Sequence, residues 1–389
     1  MEKEKKQITM KENLRIFIID TYYGSFLSDH YKKLGRKISL SKSSYSDLKK
    51  EIIDECFGTS DFYTKAFNDA GCIAEEFISN DAVLQKKWAR ENNIKLSPLK
   101  NLVERIPLMR RWVRDYWLYQ ILEAQIAAFK PDIIFNKNIG FIDAHFLLNQ
   151  KKAGKKIVGQ IASKLPDRKF FDPYDLIFSS LPHYVEKFKS WGIESRYVQL
   201  AFDSRVLKRI HKNDTTYDVT HVGGYGPTHA ERNELLEKIA TKTHVDFWGY
   251  GVLNLTPNSP IKKTFKGSAW GMDMYYILAN SKITLTKHIT SVADKYANNM
   301  TLYEATGCGC LLITDAKENL PNIFVPGKEI VTYSSPQELD DKIKYYLKNE
   351  TERKMIAEAG QKRTLNEHTY AARVKQMIEA LHELFKNAS

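Results

Sequence analysis

Cysteine is scarce in this chain, with four residues in 389. They are too few and too scattered to form the disulfide framework of a secreted domain. Cys308 and Cys310 stand close together, but their surroundings are apolar and no second Cys or His pair follows at the spacing of a zinc site. We interpret the cysteines as small buried thiols of a protein in a reducing compartment. The four positions are Cys56, Cys72, Cys308 and Cys310.

Long apolar segments are also missing. No run approaches the roughly 20 residues that a membrane-spanning helix needs. The opening residues, MEKEKKQITMKEN, are charged and lack the apolar core of a signal peptide. These two observations predict a cytoplasmic protein without an export signal.

The sequence lacks the signatures of several enzyme classes. It contains no phosphate loop of the Gly-x4-Gly-Lys-Ser/Thr type, no His-Glu-x2-His zinc site and no Gly-x-Ser-x-Gly elbow of a hydrolase. It also contains no Asp-x-Asp constellation that would indicate a metal-dependent transferase. Chemistry that depends on these motifs is therefore not expected.

The composition is that of a globular protein, with 43% hydrophobic and 27% charged residues. A length of 389 residues favours two domains, because single hydrophobic cores stop growing at about 250 to 300 residues. The formal net charge is +12, from 59 Lys and Arg against 47 Asp and Glu. Such a surface attracts phosphorylated substrates or anionic membranes. No segment interleaves basic and aromatic residues like an RNA-binding module, so no nucleic acid is expected.

Short apolar runs alternate with helical patterns along the first half. The runs at 14–20 (LRIFIID), 132–136 (DIIFN), 156–162 (KIVGQIA) and 175–180 (DLIFSS) predict buried parallel strands. The same alternation of strand and helix patterns begins again at 217–224 (YDVTHVGG) and continues toward the end of the chain.

A polar and basic stretch, 203–216, separates the two halves, and we interpret it as a linker. Alternating strands and helices predict parallel sheets with helices on both faces. We therefore predict an α/β protein of two doubly wound, Rossmann-like domains, residues 1–205 and 206–389, with the last helix crossing back to the first domain. The two domains would face each other across a cleft, where the carboxyl ends of the strands bind ligands.

The most informative stretch is 297–315, ANNMTLYEATGCGCLLITD. Asn298 or Asn299 suits the N-cap of a helix, and an apolar strand follows the helix. The helix would begin at the cleft, where its free amides and its dipole favour a phosphate. We predict that Met300 and Thr301, together with the two asparagines, contact the phosphates of a bound nucleotide.

Glu304 follows Asn298 and Asn299 by six and five positions in the sequence. At 1.5 Å per residue it lies about 8 Å further along the helix axis, roughly the separation between a diphosphate and the ribose hydroxyls. A carboxylate there can accept hydrogen bonds from both hydroxyls. The alternative is an exposed surface carboxylate, which helix spacing alone does not exclude.

The stretch around Glu304 resembles the C-terminal domain of group-1 glycosyltransferases, and especially their CgeB-like (spore-maturation) branch, whose pattern is Asn-Met-Arg-x-Tyr/Phe-Glu-Ala-x-Ala/Gly-Cys-Gly. The segments YDVTHVGG and VPGKEIVTYSSPQELDDKIKYYL are similar to other parts of that domain. PDIIF, YDLIFSSLPHYVEKFKSWG and LAFDSRVL are similar to the branch's N-terminal half. The resemblance spans most of residues 60–385 and implies the GT-B fold.

Two positions depart from the pattern of these relatives. Thr301 stands where the branch commonly has an Arg that would neutralise donor phosphate. We expect Lys287, Lys295 or the helix amides alone to meet the phosphate instead. Many retaining members carry a Glu-x7-Glu pair, but Tyr296 occupies the position of the first acid. The anomeric outcome of the reaction therefore stays open.

Further site residues are predicted at strand ends that should open on the same cleft. Lys287 follows the strand KITLTK and would stabilise a departing nucleoside diphosphate, although an ordinary surface lysine is the alternative. Gly223 and Gly224 would let backbone approach the diphosphate closely, although a double glycine is also a common tight turn. Arg232 and His229 follow on the next helix and are weaker candidates.

The first domain should supply the acceptor side of the cleft. The turn 21–25 (TYYGS), after the first strand, is the natural acceptor loop. Asp143 and His145 lie near the start of the helix after DIIFN, and either would serve as the base of an inverting reaction if it reaches the cleft. The alternative for both is a structural role on a helix face.

Together these features predict a glycosyltransferase that moves a sugar from a nucleotide-sugar donor to a glycan, lipid-linked or protein acceptor, without a metal ion or other cofactor. A sugar-nucleotide epimerase of the same fold and a non-catalytic anion-binding protein are the alternatives. The net charge adds the expectation that the enzyme works at the anionic inner membrane surface, with Arg110, Arg111 and Arg114 as contacts.

Overall fold

The computed structural model describes residues 13–96, 116–210 and 217–386. Within these residues the chain forms two parallel sheets, one with the strand order β2-β1-β3-β4-β5-β6 and one with the order β11-β10-β9-β7-β8. The strands are β1 (Arg15–Asp20), β2 (Ile73–Ile78), β3 (Ile133–Asn136), β4 (Lys156–Gln160), β5 (Leu176–Ser179), β6 (Glu194–Tyr197), β7 (Tyr217–Gly224), β8 (Asp246–Tyr250), β9 (Ser281–Leu285), β10 (Leu311–Asp315) and β11 (Val331–Tyr333).

Helices connect the strands and cover both sheets. The described helices are α1 (Gly24–Leu34), α2 (Tyr45–Asp54), α3 (Phe62–Asp69), α4 (Ala82–Glu91), α5 (Tyr116–Phe129), α6 (Ala144–Lys152), α7 (Pro182–Ser190), α8 (Ala230–Ala240), α9 (Pro260–Lys263), α10 (Met272–Ala279), α11 (Thr290–Ala293), α12 (Thr301–Gly307), α13 (Pro336–Lys348), α14 (Glu350–Glu367) and α15 (Tyr370–Lys386). Short 3-10 turns lie at Arg168–Phe171, Ser204–Arg209, Pro227–His229, Val252–Asn254 and Leu320–Asn322.

The central strands are apolar on both faces because both faces are covered. All residues of β3 and β5 are buried, and so are the four middle residues of β1. In a parallel sheet each strand carries helices above and below, so consecutive apolar residues are buried rather than alternating ones. The predicted parallel strands are therefore present, with ends that differ by a few residues from the predicted ones.

Several elements differ from the sequence-based expectation. Strand β6, Glu194–Tyr197, was not among the strands named above, and after it the chain leaves the sheet toward the second domain. The helix for which Asn298 or Asn299 was the expected N-cap begins at Thr301. Helices α2, α4 and α14 were not predicted, and in α14 the apolar residues show almost no helical periodicity.

The last helix packs against the first domain. The amide of Phe202 donates a hydrogen bond of 2.8 Å to the carbonyl oxygen of His368, just before α15. Tyr370, at the start of α15, contacts Phe62 and Tyr63 of α3, with ring centroids 5.2 Å and 4.9 Å apart. The predicted boundary at 205/206 lies between β6 and β7 and remains a prediction.

Direct contacts hold the two domains together beside the cleft. The indole Nε1 of Trp270 donates to a carboxylate oxygen of Asp29 at 3.0 Å, and the amide of Met272 donates to the carbonyl oxygen of Glu55 at 2.8 Å. Gly271 makes this approach possible, because its φ is +48° and a Cβ there would stand 1.8 Å from the Glu55 oxygen. The carboxyl ends of the two sheets consequently face each other at short range.

The described residues also bear on the cysteines and on membrane-spanning helices. All four cysteines are free thiols, three of them buried and Cys72 partly exposed. In the parts of the chain described here, no helix is both long enough and apolar enough to cross a membrane. Arg110, Arg111 and Arg114, the expected membrane contacts, lie outside the described residues.

Candidate functional site

A cavity of about 490 Å³ lies between the carboxyl ends of the two sheets. One wall consists of first-domain residues at the ends of β1, β3 and β4, and includes the predicted acceptor loop from Thr21 to Tyr23. The other wall consists of second-domain residues at the ends of β7 and β8, together with the first turns of α8 and α12. The cavity is where doubly wound sheets place their ligands.

The glycine pair at the end of β7 has a packing role in addition to the one expected. A Cβ on Gly224 would stand 2.6 Å from the ring of Tyr250, and one on Gly223 would stand 2.9 Å from the imidazole of His221. Gly249, at φ +133°, approaches even more closely, because its Cβ would lie 1.7 Å from the carbonyl oxygen of Gly223. Both predicted glycines line the cavity, but protein atoms already occupy much of the space that they leave.

Arg232 and His229 supply polar groups without partners to the second-domain wall. One guanidinium nitrogen of Arg232 donates to the carbonyl oxygen of Gly224, while its buried Nε has no hydrogen-bond partner among the described residues. The Nδ1 of His229 is buried and unpaired in the same way. Burial, and then the charge of Arg232, lower the pKa of His229 to about 4, so this imidazole is neutral at pH 7. The wall therefore carries one guanidinium charge and one neutral imidazole.

Glu304 lines the cavity with Met300 and Thr301, as expected from the sequence. It is not the exposed surface carboxylate of the alternative, because only 7% of the residue is accessible to solvent. Within the described residues its carboxylate has no hydrogen-bond or ion-pair partner, and burial raises its pKa to about 7. A buried carboxylate without a protein partner is available to bind a ligand.

Some amides at the start of α12, where phosphate contacts were predicted, already have partners within the chain. Asn299 Oδ1 accepts from the amide of Leu302, and the carbonyl of Met300 accepts from the amides of Tyr303 and Glu304. The amides of these three residues are therefore not free for an anion. Met300 and Thr301 line the cavity, and their predicted contact with the phosphates remains a prediction. The side chain of Asn299 also donates to Thr286, and Asn299 does not line the cavity.

Asn298 joins the two domains instead of lining the cavity. Its Oδ1 accepts a hydrogen bond of 2.6 Å from the hydroxyl of Ser180, and its Nδ2 donates to the carbonyl oxygen of Ala162 at 3.2 Å. Both partners belong to the first domain. The predicted phosphate contact of Asn298 is therefore replaced by a contact between domains, which sequence spacing along one helix does not reveal.

The two lysines expected to meet the phosphate lie elsewhere. The Nζ of Lys287 pairs with Glu231 at 2.9 Å, and that of Lys295 pairs with Glu318 at 3.0 Å. Neither lysine lines the cavity. The guanidinium of Arg232, ranked lower from the sequence, is the cation on the second-domain wall.

Asp143 and His145 are not placed to act as a base in the cavity. Both are exposed, and neither lines the cavity. Asp143 is the N-cap of α6, where its carboxylate accepts from the amides of His145 and Phe146 at 2.8 Å and 3.2 Å. The structure therefore assigns these residues the helix-start role that was the alternative.

The first-domain wall contains an ion pair that was not predicted from the sequence. Asp20, at the end of β1, and Lys137, directly after β3, line the cavity and pair at 2.6 Å. Their side chains are 13% and 7% exposed, and the hydroxyl of Thr59 bonds to both. The signal was available, because both residues follow apolar strand patterns whose carboxyl ends adjoin in a parallel sheet.

Aromatic rings from both domains border the cavity. Tyr23 and Phe57 of the first domain meet Tyr250 and Trp270 of the second, with centroids 5.5 Å apart for the Tyr23–Tyr250 pair and 5.4 Å for the Phe57–Trp270 pair. Tyr250 and Trp270 stack at 5.2 Å with an angle of 20° between their planes. These rings form an apolar edge beside the two polar walls.

A metal centre was not predicted from the sequence. In the described ranges, no group of three or more His, Cys, Asp or Glu side chains is placed to hold a metal ion. Whether the reaction needs a metal stays a prediction that a chelation experiment tests.

Comparison with known families and structures identifies the fold. Residues 232–379 match the family model described as "Glycosyl transferase-like", which covers most of the second domain. A sucrose-phosphate synthase from Thermosynechococcus elongatus superposes with a TM-score of 0.59 at 11% identity, over 97% of this chain and 100% of that one. No sequence match was found among curated proteins.

Two further solved structures cover nearly the whole chain. A glycosyltransferase from Rickettsia africae has a TM-score of 0.58 at 11% identity, over 96% of this chain and 99% of that one. The Anabaena protein Alr3699/HepE in complex with UDP-glucose has a TM-score of 0.57 at 13% identity, over 95% and 99%. The predicted GT-B architecture of two Rossmann-like domains is confirmed, and the match of the second domain agrees with the predicted glycosyltransferase class.

Proposed function

We propose that this chain is a glycosyltransferase of the group-1 type that binds a nucleoside-diphosphate sugar on its second-domain wall and transfers the sugar to a hydroxyl group. The unpaired atoms of Arg232 and His229 and the buried carboxylate of Glu304, all on one wall of the cavity, carry this proposal. The match of residues 232–379 to a glycosyl transferase-like family supports it.

Unpaired buried groups are costly, so the two such atoms that line the cavity on this wall, Arg232 Nε and His229 Nδ1, need an explanation. A buried donor or acceptor without a partner costs about 1 to 3 kcal/mol. Most such groups in folded proteins find a partner, and exceptions often mark a ligand site. A nucleoside diphosphate supplies the missing partners, since it offers anionic phosphate oxygens to Arg232 and His229 and a ribose diol to Glu304.

The same wall suits the chemistry of transfer. When the bond between sugar and diphosphate breaks, negative charge develops on the leaving phosphate. A fixed positive group in a cavity that excludes water stabilises that charge more than it would in bulk water. Because Thr301 brings no charge where relatives commonly carry an arginine, Arg232 takes that role in this proposal. We further propose that the reaction needs no metal ion.

The acceptor and the place of action are also part of the proposal. A glycan or lipid-linked hydroxyl would approach from the first-domain wall. The net charge of +12 favours an encounter at an anionic membrane surface, where each well-placed Lys or Arg contributes about 1 kcal/mol. A resemblance to the CgeB-like branch remains part of this proposal.

A thermal-shift panel tests the nucleotide site. The chain is heated alone and with UDP, GDP, ADP, CMP or dTDP, and the Arg232→Met variant serves as the matched control. One nucleotide at 100 times its dissociation constant should stabilise the wild type by about 2.7 kcal/mol, and the variant much less. Equal midpoints with and without every nucleotide would contradict the proposed site.

Chromatography of nucleotide sugars separates the three functions that the fold allows. UDP-glucose, GDP-mannose, ADP-glucose and dTDP-glucose are incubated with the chain, and the nucleotide products are identified. A transferase releases a nucleoside diphosphate, slowly with water alone as acceptor. An epimerase converts the donor into an isomeric nucleotide sugar, and a non-catalytic binding protein leaves every donor unchanged.

A further inference from the structure

We propose that Asp20 is the catalytic base that takes the proton from the acceptor hydroxyl, and that Lys137 positions it. This inference rests on the proposed glycosyltransferase function and adds the residue that activates the acceptor. It arises from the ion pair on the first-domain wall, opposite the wall with the unpaired groups.

Strand topology places the two residues side by side. Strands β1 and β3 are parallel neighbours, with Ile19 in register with Asn136. The next residue of each strand, Asp20 and Lys137, therefore reaches the carboxyl edge at the same level. Both side chains line the cavity, so the pair stands at the edge where acceptor and donor must meet.

The carboxylate of Asp20 is held in one orientation. One oxygen accepts from the amide of Thr21 at 2.8 Å, and the other accepts from Lys137 at 2.6 Å and from the hydroxyl of Thr59 at 3.2 Å. The ammonium of Lys137 also lies 5.4 Å from the ring centroid of Tyr63. Such a network fixes the direction of the carboxylate, as a positioned base requires.

Stability alone is a weak reason for this pair. The desolvation cost of a buried ion pair can exceed its Coulomb gain, and apolar replacements are often neutral or stabilising. The cavity also offers few other charged residues that could act as the base. Its described charged lining consists of Asp20 and Lys137 on the first-domain wall and Arg232 and Glu304 on the second. Asp20 is therefore the carboxylate on the acceptor side, and Asp143 does not reach it.

The step balances with groups already named. The acceptor O–H bond breaks and its proton goes to a carboxylate oxygen of Asp20. The acceptor oxygen forms a bond to the anomeric carbon, while the bond from that carbon to the diphosphate oxygen breaks. The electron pair leaves with the nucleoside diphosphate, whose charge faces Arg232.

The test measures nucleoside diphosphate release from UDP-glucose, GDP-mannose, ADP-glucose and dTDP-glucose by the full chain, with water as acceptor. Asp20→Asn should lower release at least about 100-fold, the typical contribution of a general base. Its affinity for the matching nucleoside diphosphate should stay within about threefold of the wild type, and Asp20→Glu should keep part of the activity. Lys137→Arg should retain more activity than Lys137→Met.

Asp175 provides a matched control on the same sheet. Its carboxylate accepts from the amide of Ile157 at 2.8 Å and pairs with Lys151 at 3.1 Å, with 16% of the side chain exposed. It precedes β5, so it lies at the edge of the sheet away from the cavity. Asp175→Asn should leave release unchanged, and circular dichroism checks that each variant folds.

The outcomes separate this inference from the function on which it rests. Release by Asp20→Asn within about threefold of the wild type would overturn Asp20 as the base. If Asp20→Asn loses as much nucleotide affinity as turnover, Asp20 contributes to donor binding rather than to proton transfer, and the inference is overturned as well. If the wild type binds no nucleotide and consumes no donor, the proposed function fails first.

Discussion

Replacing Glu304 by glutamine should make the unliganded protein more stable and its nucleotide complex weaker. The residue is buried on the cavity wall, and burial raises the pKa of its carboxyl from the ordinary value of 4.5 to about 7. In the unfolded chain the same carboxyl ionises near 4.5. Folding therefore takes up a proton between these two values, and the wild type loses stability as the pH rises through this window.

The size of the effect follows from the shift. A rise from 4.5 to about 7 is about 2.5 pKa units, and each unit corresponds to 1.36 kcal/mol, so the cost at pH 8 is on the order of 3 kcal/mol. Glutamine has no charge to desolvate, so Glu304→Gln should escape this cost. The stability difference between variant and wild type should be small at pH 4, grow between pH 4.5 and 7, and level off above.

The nucleotide site should show the opposite trend. A charge-assisted hydrogen bond contributes about 1.5 to 3 kcal/mol, so Glu304→Gln should lower nucleotide affinity by about 10- to 150-fold at pH 8. Because only the ionised carboxylate accepts from both ribose hydroxyls, wild-type affinity should fall as the pH drops from 8 to 6. UDP-glucose is a suitable probe, because its diphosphate is esterified at both ends and has no terminal phosphate group to titrate near pH 6.

Thermal unfolding and calorimetry at pH 4, 6 and 8 measure both effects. Glu318→Gln is the control, since this carboxylate is 61% exposed and pairs with Lys295 away from the cavity. It should change neither stability nor affinity noticeably. A Glu304→Gln variant that is less stable than the wild type at pH 8, or that binds the nucleotide equally well, would refute the reasoning.

Four further results are expected. Arg232→Met should weaken nucleoside diphosphate binding about tenfold or more, whereas Lys287→Met should change it less than about threefold by calorimetry, because Lys287 is paired outside the cavity. Gly249→Ala should lower the unfolding midpoint strongly or prevent folding, since its Cβ would stand 1.7 Å from Gly223; Gly58→Ala, with open space around it at φ +62°, should cost far less. EDTA should leave donor consumption unchanged, and restoration by Mn²⁺ after a loss would show a metal requirement. Anionic vesicles should sediment the protein at low salt and release it at high salt, whereas indifference at low salt would contradict membrane association.

The fold was largely readable from the sequence because parallel strands leave a simple signature. The buried residues of β1, β3 and β5 form continuous apolar runs, and each run is followed by turn residues and a helix. Helices with little apolar periodicity, such as α14, were not predicted, because tertiary packing rather than a local pattern stabilises them. Helix α12 begins at Thr301, slightly later than predicted, although Asn299 accepts a hydrogen bond from the amide of Leu302 as a capping residue does.

Part of the site was predictable, because Gly223, Gly224 and Arg232 line the cavity as expected. Glu304 lines the cavity as expected, since its position depends on a single helix. Asn298 was misassigned because its partners lie in the other domain, and distances across a domain interface are not encoded in local spacing. The predicted contact of Lys287 with the diphosphate did not follow from its position, because a strand end does not fix where a long side chain points. Its ammonium donates to Glu231 instead.

The structure of the complex with the preferred nucleoside diphosphate tests the central claim most directly. The account predicts that the diphosphate lies beside Arg232 and His229, with the ribose hydroxyls within hydrogen-bond distance of Glu304. The first-domain wall at Asp20 and Lys137 should stay free for the acceptor. A nucleotide bound on the first-domain wall, or outside the cavity between the two sheets, would contradict the account.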